Sequence, residues 1–205
     1  WDSRTVAIET GSARATLACV SVTQHRRPRR LLVGLLAFTT ACGSTVEEVE
    51  RPHGVVIAHR GASGYAPEHT LEAYSIGHEQ RADFLEPDLV MCRDGHLICS
   101  HDLTVTQNSN AASLYPELVD AEGNIKIKDL FLVQLQRVEV TDEEGRGSYR
   151  YATFKEFLGL AQLIYARTGE KVGVIPELKS PAWHRSESLP MEAELMARLA
   201  EAGYT

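Results

Sequence analysis

The sequence predicts an α/β fold in which a parallel sheet is covered by helices. Short, continuous apolar runs are typical of strands buried on both faces, as in parallel sheets. Helix-like segments lie between these runs, and strands that alternate with helices imply a parallel sheet with helices outside it. The 205 residues are 43% hydrophobic and 24% charged, a composition typical of a folded globular chain.

Four short segments are the predicted strands, at residues 55–59, 84–91, 96–101 and 172–178. Asp94 and Gly95 mark a tight turn between the second and third of them. Cys92 and Cys99 flank this turn, and we favour two small, half-buried residues on paired strands over a disulfide. The spacing of the cysteines does not suggest a zinc site.

Three helices are predicted, at residues 70–80, 153–167 and 187–201. The middle one is amphipathic, with Thr153 suited to cap its start and Gly169 suited to end it. Residues 103–150 are polar and irregular, without a strong hydrophobic period. We expect this stretch, which follows the second strand region, to be an insertion and not a strand–helix unit.

The N-terminal region predicts an export signal. Residues 26–42 combine a block of arginines with an apolar run of 11 residues, too short for the roughly 20 that a membrane span needs. This layout is typical of a secretory signal peptide, and Cys42 resembles the cleavage and lipidation site of bacterial lipoproteins. A plain signal peptide cut nearby, or an uncleaved anchor, is the alternative. We expect export to the periplasm or cell envelope, with a lipid anchor on Cys42.

These features divide the chain into a leader, a signal, a tether and a folded region. The leader spans residues 1–25 and is unassigned, the tether spans residues 43–54, and the folded region spans residues 55–205. The formal net charge of −7, from 21 basic and 28 acidic residues, argues against a nucleic-acid-binding protein.

Polar side chains cluster where the predicted strands end: His59, Glu86, Asp88, His101 and Glu177. In a TIM barrel, that end of the strands carries the chemistry. Such a barrel needs about 250 residues. The part of the chain after the signal is shorter and includes the insertion, so we expect about the first half of a barrel.

The acidic residues at these strand ends predict a metal site. Glu86 and Asp88 are two residues apart on a strand, so they face the same side, separated by roughly 6.5 Å along the chain. Two inward-facing carboxylates are costly unless a positive charge lies between them, and Ca²⁺ or Mg²⁺ prefers such oxygens. Glu177 can complete the set. The alternative is a solvent-facing strand edge, which the apolar neighbours of the pair make less attractive.

Two histidines and nearby cations complete the candidate site. His59 and His101 end two strands, so one imidazole can accept a proton while the other donates one. Arg60 and Lys179 could face a substrate anion. Glu68 could bind a substrate hydroxyl or brace its loop, and His69 is left as part of that loop. The other histidines are expected at the surface: His25, His53, His78, His96 and His184.

Four blocks of the sequence read HRGASGYAPEHT, LEPDLV, DGHLICSHD and PELK, at residues 59–70, 85–90, 94–102 and 176–179. In these blocks, and in their order, the chain resembles the glycerophosphodiester phosphodiesterase family, in its periplasmic or lipoprotein branch. The resemblance implies a TIM barrel of the phospholipase-C-like phosphodiesterase type. It implies His59 and His101 as the acid–base pair. The implied ligands of Ca²⁺ or Mg²⁺ are Glu86, Asp88 and Glu177, and the implied phosphate or glycerol contacts are Arg60, Glu68 and Lys179.

The implied reaction is hydrolysis of a small glycerophosphodiester, such as glycerophosphocholine, to glycerol 3-phosphate and an alcohol. The family's later strands are absent, so the chain by itself is expected to have an incomplete glycerol pocket. Two other interpretations remain open. One is a related barrel phospholipase of the sphingomyelinase D or phosphoinositide-cleaving type, and the other is a surface lipoprotein with a binding role. The sequence leaves the oligomeric state open.

Overall fold

The structure is a computed structural model that describes residues 54–105 and 107–204. The predicted leader, the signal peptide with Cys42 and nearly all of the tether fall within residues 1–53, outside the described residues. The described residues carry the whole of the predicted site.

Six short strands form two three-stranded sheets in the described residues. They are β1 (Ile57–His59), β2 (Phe84–Glu86), β3 (Asp88–Met91), β4 (Leu97–Cys99), β5 (Gly173–Val174) and β6 (Glu177–Leu178). One sheet has the order β1-β2-β5, with every pair parallel. The other has the order β4-β3-β6, in which β3 is antiparallel to β4 and parallel to β6.

Two predicted strands are each divided at a proline. Pro87 separates β2 from β3, and Pro176 lies between β5 and β6. Proline has no N–H to donate to a strand ladder, which accounts for the interruption. The backbone pairing nevertheless continues across the gap, because Glu177 N–H donates to the Pro87 carbonyl oxygen at 2.9 Å. This hydrogen bond therefore joins the two sheets at the point where the prolines divide the strands.

The hairpin between β3 and β4 matches the predicted turn. The Cys92 N–H donates to the His96 carbonyl oxygen at 3.0 Å, and Gly95 has a φ of +82° that a residue with a side chain rarely adopts. Cys92 and Cys99 are both free thiols, as favoured from the sequence, but they are fully buried and not half-buried as expected. The strand that follows this turn thus runs back along β3, antiparallel to it.

The prediction that the first strand is buried on both faces is wrong. Val55, Val56 and Ile57 are 68%, 50% and 48% exposed. The reason is that β1 pairs with β2 alone among the described strands, so its other edge has no neighbour there.

Helices of very different length surround the sheets in the described residues. They are α1 (Leu71–Glu79), α2 (Ala111–Leu114), α3 (Leu132–Leu135), α4 (Phe154–Thr168), α5 (Pro181–Ser186) and α6 (Glu192–Glu201). None of these helices has the length and apolar character that a bilayer crossing requires. The predicted third helix is shorter than expected and begins at Glu192, because Pro190 disfavours helical backbone at the residue before it.

Local hydrogen bonds fix the starts of the two predicted helices that the structure confirms. Thr70 Oγ1 accepts from the Ala73 N–H at 3.2 Å and caps α1. At α4, Thr153 Oγ1 accepts from the Glu156 N–H at 3.1 Å, while the Glu156 carboxylate accepts from the Thr153 N–H at 2.8 Å. This reciprocal capping box is what the sequence pattern indicates. Gly169 ends α4 in the left-handed conformation.

The main hydrophobic core lies between the sheets and helices α1 and α4. Leu85 and Leu89 are fully buried, and Tyr74 packs edge-on against Phe157 with ring centroids 4.6 Å apart. This packing holds β2 and β3 against the two helices. It therefore fixes the strands from which the acidic residues project.

Residues 103–150 are more ordered than their sequence suggests. They contain α2, α3 and two 3₁₀ turns, Pro116–Leu118 and Ile127–Asp129. Their apolar residues form a second core with Val90 of β3 and Ile98 of β4. The members Val90, Ile98, Ile127, Leu130, Leu135 and Val138 are all nearly inaccessible. Most of this stretch lies outside helices and strands, as predicted, and its elements of three or four residues are too short to show a helical period. The description of the stretch as polar missed this buried core. Its status as an insertion stays a prediction.

Candidate active site

Three carboxylates meet where the two sheets join. Glu86 ends β2, Asp88 begins β3 and Glu177 begins β6, and Asp88 is the register partner of Glu177. One oxygen from each residue lies within 4.8 Å of the others. Glu86 and Asp88 are buried, and Glu177 is exposed. Three convergent carboxylates, two of them buried, fit the oxygen-rich coordination that a hard divalent cation prefers.

The two buried carboxylates differ in their pKa. Burial and the charge of Asp88 raise the pKa of Glu86, against the opposing effect of a hydrogen bond from the Arg60 N–H. Burial also acts to raise the pKa of Asp88. There, the hydrogen bond with His69 and the charges of His69, Lys179 and Arg60 outweigh burial and lower the pKa to about 2. Asp88 therefore carries a full negative charge at neutral pH.

Lys179 places a positive charge next to two of the three clustered carboxylates. Its Nζ lies 2.9 Å from Glu177 Oε1 and 3.5 Å from Asp88 Oδ1. The bond with Glu177 is the largest cause of the raised pKa of Lys179. The ammonium group thus neutralises part of the charge that a metal ion would otherwise balance.

Arg60 bridges the first loop and the buried acids. Its backbone N–H donates to Glu86 Oε2 at 2.9 Å, and its side-chain Nη1 donates to Glu68 Oε2 at 3.0 Å. Its Nε lies 3.3 Å from Asp88 Oδ2, close enough for ion pairing but not aligned as a hydrogen bond. The φ of Arg60 is +60°, a strained value for a residue with a side chain. Glu68 therefore braces Arg60, one of the two roles that the sequence left open.

The two candidate acid–base histidines lie at the ends of strands that pair with β2 and β3. His59 is the register partner of Glu86 across the β1–β2 pair, and its side chain is exposed. The Ser100 N–H donates to the Asp88 carbonyl oxygen at 3.0 Å, so His101 follows directly after a residue that is paired with Asp88. His101 Nδ1 lies 2.9 Å from Asp102 Oδ1, an arrangement that orients the ring. The structure thus places both histidines next to the strands that carry Glu86 and Asp88.

His69 has contacts that the sequence did not predict, since the residue was expected only to form part of a loop. His69 is 3% exposed and its ring lies between two polar groups. Its Nδ1 is 2.8 Å from the Tyr74 hydroxyl, and its Nε2 is 3.2 Å from Asp88 Oδ2. The spacing of five residues between His69 and Tyr74 matches no regular period, so only the position of His69 in the first block could have marked it.

The prediction that His184 is a surface residue is wrong. It lies on α5, is 1% exposed, and neither ring nitrogen has a hydrogen-bond partner among the described residues. Burial lowers its pKa. The reason is that α5, which the sequence did not predict, turns this side chain inward. His96 is exposed, as predicted, whereas His78 is half-buried and so more enclosed than expected.

Comparison with known proteins identifies the family of this chain. Residues 59–203 match the Glycerophosphoryl diester phosphodiesterase family. This chain belongs to that family. A glycerophosphodiester phosphodiesterase of Haemophilus influenzae is 31% identical over 192 residues, which are 85% of this chain and 53% of the relative. One from Bacillus subtilis is 41% identical over 176 residues, covering 82% of this chain and 54% of the relative.

Solved structures of similar proteins show the same fold. A putative glycerophosphoryl diester phosphodiesterase from Silicibacter pomeroyi aligns with a TM-score of 0.59 and 21% identity, over 75% of this chain and 56% of that one. A phosphodiesterase from Oleispira antarctica, solved in complex with the product sn-glycerol-3-phosphate, aligns with a TM-score of 0.55 and 22% identity, over 73% and 53%. This chain spans about half the length of the family members that it matches. The α/β fold and the family resemblance predicted from the sequence are confirmed.

Proposed function

We propose that this chain carries the metal-binding and acid–base part of a site that hydrolyses glycerophosphodiesters to sn-glycerol 3-phosphate and an alcohol. The observation that carries the proposal is the convergence of Glu86, Asp88 and Glu177 within 4.8 Å, with His59 at the end of β1, which pairs with β2, and His101 shortly after β4, which pairs with β3. Membership of the family supports the substrate class. The product bound by the Oleispira antarctica relative supports the same chemistry.

A divalent cation, Ca²⁺ or Mg²⁺, is proposed to be held by Glu86, Asp88 and Glu177. Oxygen ligands alone favour these hard ions over zinc, which prefers nitrogen and sulfur. Such an ion would neutralise phosphate charge and lower the pKa of a nearby hydroxyl group. The raised pKa of Glu86 supports the proposal, because a buried carboxylate beside a second one is relieved by a bound cation.

The two histidines are proposed to move the protons of the reaction. One imidazole accepts the proton of the glycerol hydroxyl group that attacks phosphorus, and the other donates a proton to the oxygen of the departing alcohol. The P–O bond to that alcohol breaks as the new P–O bond closes a cyclic phosphate, which water then opens to glycerol 3-phosphate. His59 takes one of these two roles and His101 takes the other.

The phosphate group is proposed to lie against Arg60 and Lys179. The Arg60 guanidinium can present a planar fork to phosphate oxygens, and Lys179 offers a point charge. Both already face Asp88, at 3.3 and 3.5 Å, so both are next to the place where the phosphate would bind. Glu68 is proposed to act by holding Arg60, although a direct contact with substrate is also compatible with its exposure.

The architecture is proposed to be the first half of a TIM barrel with residues 103–150 inserted. The edge of β1 that has no partner among the described strands supports this, because a barrel strand has a neighbour on each edge. We further propose export to the periplasm or cell envelope, with a lipid on Cys42 as the membrane attachment. Labelling with a radioactive fatty acid, compared between the chain and a Cys42→Ser variant, tests that attachment.

A coupled assay for glycerol 3-phosphate tests the catalytic proposal. Release from glycerophosphocholine should depend on Ca²⁺ or Mg²⁺ and stop when a chelator is added. The variants His59→Asn and His101→Asn should each lower kcat by about 10²- to 10⁴-fold while Ca²⁺ still binds. The His78→Asn variant is the matched control, since His78 lies in the last turn of α1, away from the acidic group. If choline is released from sphingomyelin but no glycerol 3-phosphate is released from glycerophosphocholine, the chain is instead part of a related phospholipase of the sphingomyelinase D type.

A further inference from the structure

His184 is a buried imidazole that the proposed hydrolysis does not use. It lies in α5, is 1% exposed, and neither ring nitrogen has a hydrogen-bond partner among the described residues. Its ring meets the ring of Trp183 edge-on, with the two centroids 4.8 Å apart. A buried group without a partner is much more costly to enclose when it is charged than when it is neutral. The packing of α5 therefore suits the neutral imidazole and opposes the imidazolium.

The charged groups near His184 compensate little for a proton on its ring. Burial is the largest cause of its lowered pKa, and two charges act on it in opposite directions: Glu187, which follows α5, and Lys128, on the 3₁₀ turn Ile127–Asp129. These two residues already pair with each other, because Lys128 Nζ lies 3.1 Å from Glu187 Oε2. The same Nζ lies 2.8 Å from Asp129 Oδ1. An imidazolium at this position would thus be enclosed beside an ammonium group and a carboxylate that is already engaged.

Helix α5 follows directly on the segment that carries the third carboxylate of the candidate site. The N–H groups of Glu177 and Lys179 donate to carbonyl oxygens on either side of Asp88, each at 2.9 Å. The next residue, Ser180, has a φ of +47°, and its carbonyl oxygen accepts from the His184 N–H at 3.1 Å. A residue with a side chain keeps such a strained conformation only where its surroundings hold it. The burial of α5 therefore helps to hold the backbone that presents Glu177.

We propose that His184 makes α5 a pH-sensitive switch: when its ring gains a proton, α5 leaves the turn that carries Lys128, and the segment with Glu177 and Lys179 loosens. The effect on a divalent ion rests on the proposed function, because it requires Glu177 to be a ligand. The opening of α5 does not depend on that function.

The direction of the pH dependence follows from proton linkage. In the open segment, His184 has an ordinary imidazole pKa of about 6.5, whereas burial lowers the pKa in the closed segment. The open form thus binds the proton more readily than the closed form. The closed form is therefore favoured fully above about pH 7 and loses stability as the pH falls below 6.5.

Amide hydrogen exchange of the full chain, in the presence of a chelator, tests the opening of α5. Between pH 7 and pH 5, the protection factors of the His184 and Glu187 N–H groups should fall by about 10- to 25-fold, the most that one imidazole with an ordinary open-state pKa supplies. The N–H groups of Glu177 and Lys179 should lose protection over the same pH range. The Phe157 N–H, which is bonded within α4, should keep its protection.

Two variants that cannot gain a proton at this position separate protonation from packing. In His184→Phe and His184→Leu, the protection of α5 at pH 5 should stay within about twofold of its value at pH 7. A replacement that packs poorly lowers protection by the same factor at both pH values, so the ratio between them still reports the proton. His96→Phe is the matched control, because it removes an exposed imidazole and should behave like the wild-type chain.

Calorimetric titration with Ca²⁺ at pH 7 and pH 5 tests the link to the candidate site. The wild-type chain should lose about three- to tenfold more affinity between these pH values than His184→Phe. Protection of α5 that does not change with pH, or that falls equally in wild type and His184→Phe, overturns the switch. An equal fall at Phe157 in the wild-type chain also overturns it, because the chain would then unfold as a whole.

The two proposals can fail separately. An equal loss of Ca²⁺ affinity in the wild-type chain and His184→Phe overturns the link between α5 and Glu177. If no Ca²⁺ binds at either pH, the proposed metal site fails, while the exchange measured in chelator still decides whether His184 controls α5.

Discussion

His69 Nε2 lies 3.2 Å from Asp88 Oδ2, and both residues are almost completely buried. An ionised carboxylate can only accept a hydrogen bond, so Nε2 carries the proton. In the neutral ring, Nδ1 then accepts from the Tyr74 hydroxyl group, 2.8 Å away. The chain Tyr74–His69–Asp88 thus fixes both the tautomer of the imidazole and the direction of the carboxylate.

The first prediction concerns this chain of hydrogen bonds. His69→Leu should weaken Ca²⁺ binding about 10- to 100-fold, because an outer partner orients the carboxylate that holds the ion. His69→Gln, which keeps an N–H donor near the position of Nε2, should recover part of the loss. Calorimetric titration with Ca²⁺ measures the affinity, and His78→Leu is the control at a histidine away from the acidic group. Equal affinity in wild type and His69→Leu would contradict the orienting role.

The second prediction is a dependence of stability on pH through Asp88. Its folded pKa of about 2 lies below the ordinary aspartate value of 3.8, so its contribution is complete well above pH 4 and is lost as pH falls toward 2. The lowered pKa corresponds to roughly 2 kcal/mol at neutral pH. We therefore expect the wild-type chain, measured in the presence of a chelator, to have a higher free energy of unfolding than Asp88→Asn at pH 7. The difference between the two free energies should become smaller at pH 4 and smaller again at pH 3. Urea unfolding at each pH measures it.

The control for this measurement is Glu122→Gln, a change at an exposed carboxylate. Its difference from wild type should stay near zero across the same range. A gap for Asp88→Asn that stays constant, or widens as pH falls, would show that the partners of Asp88 do not favour its charged form.

The acidic residues could be predicted because they interrupt apolar strands. Glu86 and Asp88 stand between buried leucines and valines, a setting that a solvent-facing strand edge would not provide. The expected reason for their shared face, simple alternation along one strand, is incomplete, because Pro87 divides the strand. Their convergence with Glu177 comes instead from pairing between β3 and β6, which the sequence shows only as two separate runs.

Long helices were predictable and short elements were not. Helix α4 has 15 residues, a capping box and a terminal glycine, so several local signals agree. The second core depends on contacts among helical pieces of three or four residues, each without a period of its own. His69 and His184 are buried by tertiary packing, which no local pattern around either histidine reveals.

The third prediction concerns Gly61, which lies next to Arg60 in the first loop. Its φ is +84°, and an added Cβ would lie 2.7 Å from the Ala73 carbonyl carbon on α1. Backbone strain and this contact together should make Gly61→Ala about 2–4 kcal/mol less stable to unfolding by urea. Gly64→Ala is the matched control, because no atom lies within 4 Å of its Cβ. Similar losses in both variants would show that the close approach to α1 is not the cause.

The last prediction uses the position of Lys179 among the proposed metal ligands. Its Nζ lies 2.9 Å from Glu177 Oε1 and 3.5 Å from Asp88 Oδ1, so a divalent ion must displace this ammonium group. Lys179→Met should therefore raise Ca²⁺ affinity about three- to tenfold and lower the melting temperature in chelator, since the carboxylates lose their counter-charge. Lys155→Met, at an exposed lysine without an ion pair in the described part of the chain, should change neither quantity. Weaker Ca²⁺ binding by Lys179→Met would instead mean that Lys179 supports the metal site from outside and does not compete with the ion.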